Sequence, residues 1–342
     1  MTVYIDLLHP AHVNLFKGLI NKHSNNIKFI VTCIDRGKVP LIAKREITSV
    51  PIHVIGKHRG SFLSIIFQAN IFRFWSLFFF LIGKKIDVGI SFGSFVAGAI
   101  LRIKGVPNIH LSDDPERKLN EILELITCSE RYLPPIVAEK GKTKCFNALK
   151  EWSYLSPTYF IPNVHELREY ELTPNSYIFV REVSNGSLNY LGQNKNIIAV
   201  IANEFPTEYR VLLSLEDKTT SNDYPKDWII LQEPVNDIHS LIFYSRIVVS
   251  SGDSMAREGA MLGIPSLYCG FREMRANDIL INRGILLKVD PMDVSTVLKR
   301  ITGNELLSFD QNELRESLNK EWDDVNDFIY NQVIKYQKIK TK

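Results

Sequence analysis

A turn of small residues between a β-branched strand and a helix carries the strongest chemical signal: Ile247 to Pro265 reads IVVSSGDSMAREGAMLGIP. Ser250, Ser251, Gly252, Asp253 and Ser254 make the turn, and the pattern predicts a helix from about Met255. Unpaired backbone N–H groups at a helix N-terminus, beside residues small enough for close approach, suit an anion such as a diphosphate. Glu258 follows Gly252 by six residues, one turn into the helix, where its carboxylate can accept hydrogen bonds from two ribose hydroxyls. Gly263 stops the helix and Pro265 opens the next strand. The competing role is purely local, with Ser251 and Ser254 capping the helix and Arg257 and Glu258 solvated.

Three further strand-to-helix loops bear reactive side chains. His9-Pro10-Ala11-His12-Val13-Asn14 follows the first strand, and an imidazole with an ordinary pKa near 6.5 suits proton abstraction near neutrality. His110 to Arg117, HLSDDPER, presents Asp113 and Asp114, which can bind hydroxyls, raise the pKa of a neighbouring His, or cap a helix starting at Pro115. Arg181, in FVREVSNGS, can clamp a phosphate with its guanidinium fork or pair at the surface with Glu182 or Glu208. Lys57, His58 and Arg59 in GKHRGS, and Gly93-Ser94 in SFGS, would line the amino-terminal side. Asp113-Asp114 is not an Asp-x-Asp metal motif, so neither metal nor cofactor is called for.

The elements that must position these loops alternate. VYIDLL, VNLFKGLINKH, KFIVTCI, VPIHVIG, IDVGISF, SFVAGAILRIKG and PNIHLS read as strands and helices in turn, and the rhythm restarts after residue 175 with SYIFVREV. Such alternation predicts an α/β fold with parallel sheets covered on both faces, in two tandem units. Open α/β sheets bind ligands at the carboxyl ends of their strands, which is where the four loops lie. The expected division is residues 1–160, a crossing segment at 161–176 with its prolines and no sustained period, 177–311, and a helical tail at 312–342 packing back on the amino-terminal unit.

Composition narrows the function. The 342 residues, 45% hydrophobic and 23% charged, can bury two cores, while a net charge of +3 from 41 basic and 38 acidic residues argues against a nucleic-acid partner. Four scattered cysteines without a CxxC pair argue against a disulfide framework or zinc site, and the opening MTVYIDLL reads as a buried strand, so a cytoplasmic protein is expected. No Gly-x-Ser-x-Gly elbow supports hydrolysis, and no Gly-rich turn after the first strand supports dinucleotide oxidoreduction.

SGDSMAREGAMLGIP resembles the carboxyl-terminal signature of glycosyltransferase-B enzymes, especially the peptidoglycan N-acetylglucosaminyltransferase that makes lipid II. The matching positions are Ser251, Gly252, Glu258, Gly263 and Pro265. The chain is still more similar to an uncharacterised glycosyltransferase-B-like family of archaea and bacteria, through DLLHPAHVNLFKGLI, GKHRGS, ISFGS, HLSDDPE, FVREVS and SSGDSMAREGAMLGIP. The resemblance implies two Rossmann-like domains facing across a cleft and sugar transfer from a nucleoside diphosphate donor, UDP-linked by preference, to a hydroxyl acceptor. It implies a donor site at Arg181, Ser251, Gly252, Asp253, Ser254, Glu258 and Arg272. On the acceptor side it implies His12 as base, with His9 as its substitute, Asp113 or Asp114 as positioning groups, and Asn14, Lys57, His58, Arg59 and Ser94 nearby. The UDP-N-acetylglucosamine 2-epimerases share the fold, but of their Arg-rich and His-Val-Glu-Ala-Gly segments only Arg181 and His110 survive here. A noncatalytic nucleotide-sugar-binding protein is the third reading.

Phe62 to Gly83, FLSIIFQANIFRFWSLFFFLIG, is apolar over nearly the length of a membrane span but is interrupted by Gln68, Asn70 and Arg73 and followed by Lys84 and Lys85. The readings are a core helix, an amphipathic helix in peripheral contact with the inner face of a membrane through 62–85, where a lipid-linked acceptor would lie, or a true span.

Overall fold

A computed structural model of the chain describes residues 1–58, 70–115, 118–184, 196–232 and 235–339. Two compact units emerge, one of residues 1–154 with 322–342 and one of residues 155–321.

In unit 1 the strands are β1 (Thr2–Leu7), β2 (Lys28–Asp35), β3 (Ile52–Lys57), β4 (Val88–Phe92), β5 (Asn108–Leu111), β6 (Glu130–Leu133) and β7 (Thr143–Cys145). The helices are α1 (Pro10–His23), α2 (Val39–Glu46), α3 (Arg73–Leu81), α4 (Phe95–Ile103), α5 (Lys118–Thr127) and the short α6 (Trp152–Leu155). Apolar, β-branched runs such as VYIDLL and VGISF are buried on both faces, which is what a parallel central strand requires. The sheet order is β3-β2-β1-β4-β5-β6-β7, every pair parallel. The order reverses between β1 and β4, the point where ligand crevices open in such sheets. Helix α1 packs on α2, and α4 packs between α3 and α5, the grouping expected when right-handed crossovers change face at the order reversal.

Unit 2 repeats the plan with β8 (Tyr177–Glu182), α7 (Ile197–Ile201), β9 (Arg210–Leu215), β10 (Ile229–Ile230), α8 (Ile238–Phe243), β11 (Ile247–Ser250), α9 (Asp253–Met261), β12 (Ser266–Tyr268), α10 (Arg275–Ile281), β13 (Leu286–Lys288), α11 (Val294–Thr302) and α12 (Gln311–Glu321). Its sheet runs β10-β9-β8-β11-β12-β13, again all parallel with a reversal, here between β8 and β11. Helix α9 lies close on the sheet because Gly259 has no side chain: a Cβ there would come 2.5 Å from Ser266 Oγ and 2.8 Å from Val248. Gly263 ends α9 with φ of 77°, a left-handed conformation that favours glycine.

Two boundaries differ from the sequence reading. Residues 161–176 are part of unit 2, because a 3-10 helix (Val164–Tyr170) buries Leu167 and Tyr170 there and Asn163 N–H donates to Ser240 Oγ at 2.8 Å. The tail is not one element. Gln311 fastens α12 to unit 2 by donating to the Phe243 and Leu262 carbonyls, and Arg315 lies over the Phe160 and Phe243 rings. Helix α13 (Val325–Ile339) instead returns to unit 1, where Asn326 Nδ2 donates to Ser153 O at 2.7 Å and Trp322 meets Trp152 edge-on. Of the apolar stretch 62–83, residues 62–69 lie outside the described residues; α3 covers nine of the others, and among the described residues no helix is long and apolar enough to cross a membrane.

Candidate functional site

At the carboxyl end of β11 the chain turns through Ser251 and Gly252 into α9, which begins at Asp253. Ser251 is fully buried and faces inward: its Oγ donates to Glu182 Oε1 at 2.6 Å and accepts from Val183 N–H at 3.0 Å. It joins the β8 and β11 loops, so its hydroxyl holds the floor of the site where the sequence reading had it meeting the donor. The Glu182 carboxyl is pushed above its ordinary range by burial, against the Ser251, Ile198 N–H and Tyr224 bonds that favour its charged form. Gly252 is buried as well. A Cβ on Gly270, after β12, would come 2.3 Å from Ser251 O, so the two loops are in contact.

Asp253 is also structural. Its carboxylate, 1% exposed, accepts from Arg257 Nη1 at 3.1 Å and Arg272 Nη1 at 3.4 Å, and Arg257 donates to Asn277 Oδ1 at 2.9 Å. The Asp253 carboxylate thus bridges Arg257 and Arg272 beneath the α9 N-terminus, the positive end of the helix dipole. Ser254 stands half-buried in the first turn. Glu258 lies one turn further on with its Oε2 3.6 Å from His239 Nε2, both side chains nearly buried. Arg181 is engaged away from this turn: Nη1 donates to Ser214 Oγ at 3.0 Å and Nη2 lies 3.5 Å from Glu216, a partner other than the Glu182 or Glu208 expected.

The first loop of unit 1 splits the two histidines. His9 is exposed and caps α1, its Nδ1 accepting from Ala11 N–H at 3.2 Å. His12 is buried, 5.1 Å from the Phe92 ring, and its Nδ1 accepts the Leu8 N–H at 3.3 Å. A nitrogen that accepts from an N–H carries no proton, so the neutral ring bears its hydrogen on Nε2 and meets a ligand as a donor. Burial first, then the charges of His9, Lys150, Arg36 and His110, hold its pKa well below 6.5. Asn14, farther along α1, and His58 are half-buried and Lys57 is exposed, while Arg59 lies outside the described residues. The His58 imidazole is held below its ordinary pKa by burial and then Arg36.

After β5, Asp113 is buried in an ion pair with Lys150, which also reaches Glu151 Oε1 at 2.8 Å and lies 5.5 Å from the Phe92 ring centre. Asp114 is less buried, and its N–H reaches Ser112 Oγ at 3.5 Å. Ser94, expected to face a ligand, is buried and donates to Asp6 Oδ2 at 2.5 Å. Asp6 is the hub of unit 1: Arg73 Nη2 lies 2.5 and 2.8 Å from its two oxygens, and Thr32 Oγ1 donates to Oδ1 at 2.6 Å. Asp6, Lys150 and His239 were missed in sequence, while Glu182 was named only as a surface partner of Arg181 and Arg73 only as a charge interrupting an apolar stretch.

Two Rossmann-like units, each with a strand-order reversal and its polar loops at the carboxyl edge, define a protein of the glycosyltransferase-B fold. A model described as "Protein of unknown function (DUF354)" matches residues 1–338, and the chain belongs to this family. It is 24% identical to "Uncharacterized protein MJ0665" of Methanocaldococcus jannaschii, over 99% of both chains. Among solved structures it is similar to S. aureus MnaA, determined with UDP, with a TM-score of 0.72 at 12% identity over 100% of this chain and 98% of that one. The M. jannaschii UDP-GlcNAc 2-epimerase in complex with UDP-GlcNAc and UDP gives 0.71 at 11% identity, covering 98% and 99% of the two chains. The spinosyn forosaminyltransferase SpnP gives 0.69 at 13%, also over 98% and 99%.

Proposed function

We propose that the chain transfers a sugar from a nucleoside diphosphate donor, with uridine the first base to test, to an acceptor hydroxyl. The observation that carries this reading is Glu258, set one turn into α9 beside His239, with Arg272 and the α9 N-terminus in the adjoining loops. In this reading Glu258 holds the ribose, while the helix dipole, Ser254 and Arg272 meet the diphosphate. The acceptor oxygen bonds to the anomeric carbon, the bond from that carbon to the diphosphate oxygen breaks, and the hydroxyl proton passes to a base. In this reading Asp114 is the base and His12, whose Nδ1 accepts the Leu8 N–H, orients the acceptor. A lipid-linked acceptor, of the kind used in cell-surface glycan assembly, would put the reaction at the cytoplasmic face of a membrane.

Epimerisation of a UDP-sugar is disfavoured by the two motif residues that survive. His110 is fully buried, with Nδ1 2.9 Å from Ser91 Oγ and Nε2 3.3 Å from Glu124, and Arg181 is engaged by Ser214 and Glu216. The test is incubation with each UDP-sugar, with and without pooled acceptors. Release of UDP only when acceptor is present supports transfer; acceptor-independent conversion of the sugar overturns it in favour of epimerisation, and binding without any turnover overturns it in favour of a noncatalytic binding protein.

A further inference from the structure

Helix α3 presents two opposed faces. Leu77 and Leu81 pack into the core against Tyr4, Ala97 and Ile100, and Arg73 pins the helix by its buried bonds to Asp6 and to Ile55 O at 3.0 Å. That anchoring fixes the rotation of the helix, so the residues opposite are held outward. Phe72 is 64% exposed, Trp75 53% and Phe79 65%, with Ile71 and Ile82 exposed on either side.

The surface extends beyond α3. Helix α3 packs on α4 and α4 on α5, where Gly98 lets the helices approach: a Cβ there would come 2.8 Å from Thr127. On the outer side of this layer Ile103 is exposed, as are Leu119, Ile122 and Ile126, one helical stripe of α5. Around α3 and α4 the charge has one sign, while on α5 Glu121 is partly exposed and paired with Arg131 at 3.1 Å. Between residues 70 and 106 the only acidic residue is Asp87, which accepts from Thr2 N–H at 2.7 Å, whereas Lys84, Lys85 and Arg102 are exposed at the ends of α3 and α4. Exposed Trp and Phe beside lysines on α3 match the boundary between anionic headgroups and acyl chains, because the rings enter the interface while the ammonium groups meet the phosphates.

We infer that the outer face of α3, continued by α4 and α5, docks unit 1 on an anionic lipid surface. The inference rests on these residues alone, independent of the nucleotide-sugar reading. Of the four tryptophans, Trp152, Trp228 and Trp322 are buried, so Trp75 is the reporter.

The experiment is flotation of the full chain with vesicles of phosphatidylcholine alone and of phosphatidylcholine mixed with phosphatidylglycerol, together with tryptophan emission. The expected result is binding to the mixed vesicles with a blue shift that Trp75→Phe removes. Phe72→Ser/Phe79→Ser should lose at least tenfold in partitioning, and Lys84→Gln/Lys85→Gln about fivefold per lysine at low salt. These positions are exposed, so circular dichroism and UDP binding should be unchanged in every variant. Absence of binding to mixed vesicles overturns the inference. So does self-association that Phe72→Ser/Phe79→Ser abolishes in the absence of lipid, which would make the face an interface between copies of the chain.

Discussion

His239 Nε2 lies 3.6 Å from Glu258 Oε2, a contact that joins α8 to α9 beside the carboxylate. A carboxylate that binds two ribose hydroxyls must be held before the ligand arrives, and a single-turn rotation of its side chain would lose both bonds. Glu258→Ala should therefore weaken nucleoside diphosphate binding by about 1.5–3 kcal/mol, the worth of hydrogen bonds to a charged group. His239→Ala should weaken it less, since the carboxylate remains. Calorimetric titration of both variants checks the order.

Ser251→Ala separates a floor residue from a ligand contact. Losing its bonds to Glu182 and Val183 N–H should cost about 1–3 kcal/mol of stability, with nucleotide affinity of the folded protein little changed. The sign with pH follows from Glu182. Its folded pKa is raised by burial, so it contributes stability at low pH that is lost as pH rises through its folded value, and the Ser251 bond limits that rise by favouring the charged form. Without the serine the pKa climbs further, so the loss of stability should widen from pH 5 to pH 8 in denaturant titrations.

Arg73→Leu leaves Asp6 buried without its cation and should cost about 3–5 kcal/mol. Asp6→Asn/Arg73→Leu removes both charges and should be less destabilised than the sum of the two single changes. Urea unfolding of the four proteins closes that cycle.

Asp114→Asn should lower turnover by roughly 10²–10⁴-fold, the range for loss of a general base, while donor affinity is retained. His12→Gln should cost less, since an amide N–H can replace the imidazole donor. Because the His12 pKa lies well below 6.5, no limb of the pH–rate profile near that value should disappear in His12→Gln.

Much of the architecture was legible because strand and helix periods are local properties. VYIDLL, VGISF and IVVS are strands where their β-branched runs placed them, and the Gly252–Gly263 spacing marked α9 to within two residues of its start. The roles of individual polar residues were not legible, since they depend on partners distant in the chain. Ser251 is spent on a carboxylate 69 residues away, Ser94 on one 88 away, and Arg73 on one 67 away. Sequence identified the loops that reach the carboxyl edges but could not say which hydroxyls there turn inward. The 161–176 crossing failed for the same reason: its prolines and absent period concealed Leu167 and Tyr170, whose burial depends on unit 2.

The central claim is a nucleoside diphosphate site at Glu258, tested most directly by calorimetry of the full chain and Glu258→Ala against UDP, GDP, CDP and TDP. The account predicts saturable binding and thermal stabilisation by one of them, UDP first, sharply reduced in a folded Glu258→Ala. Binding of equal strength in both proteins, or no response to any of the four, would contradict it.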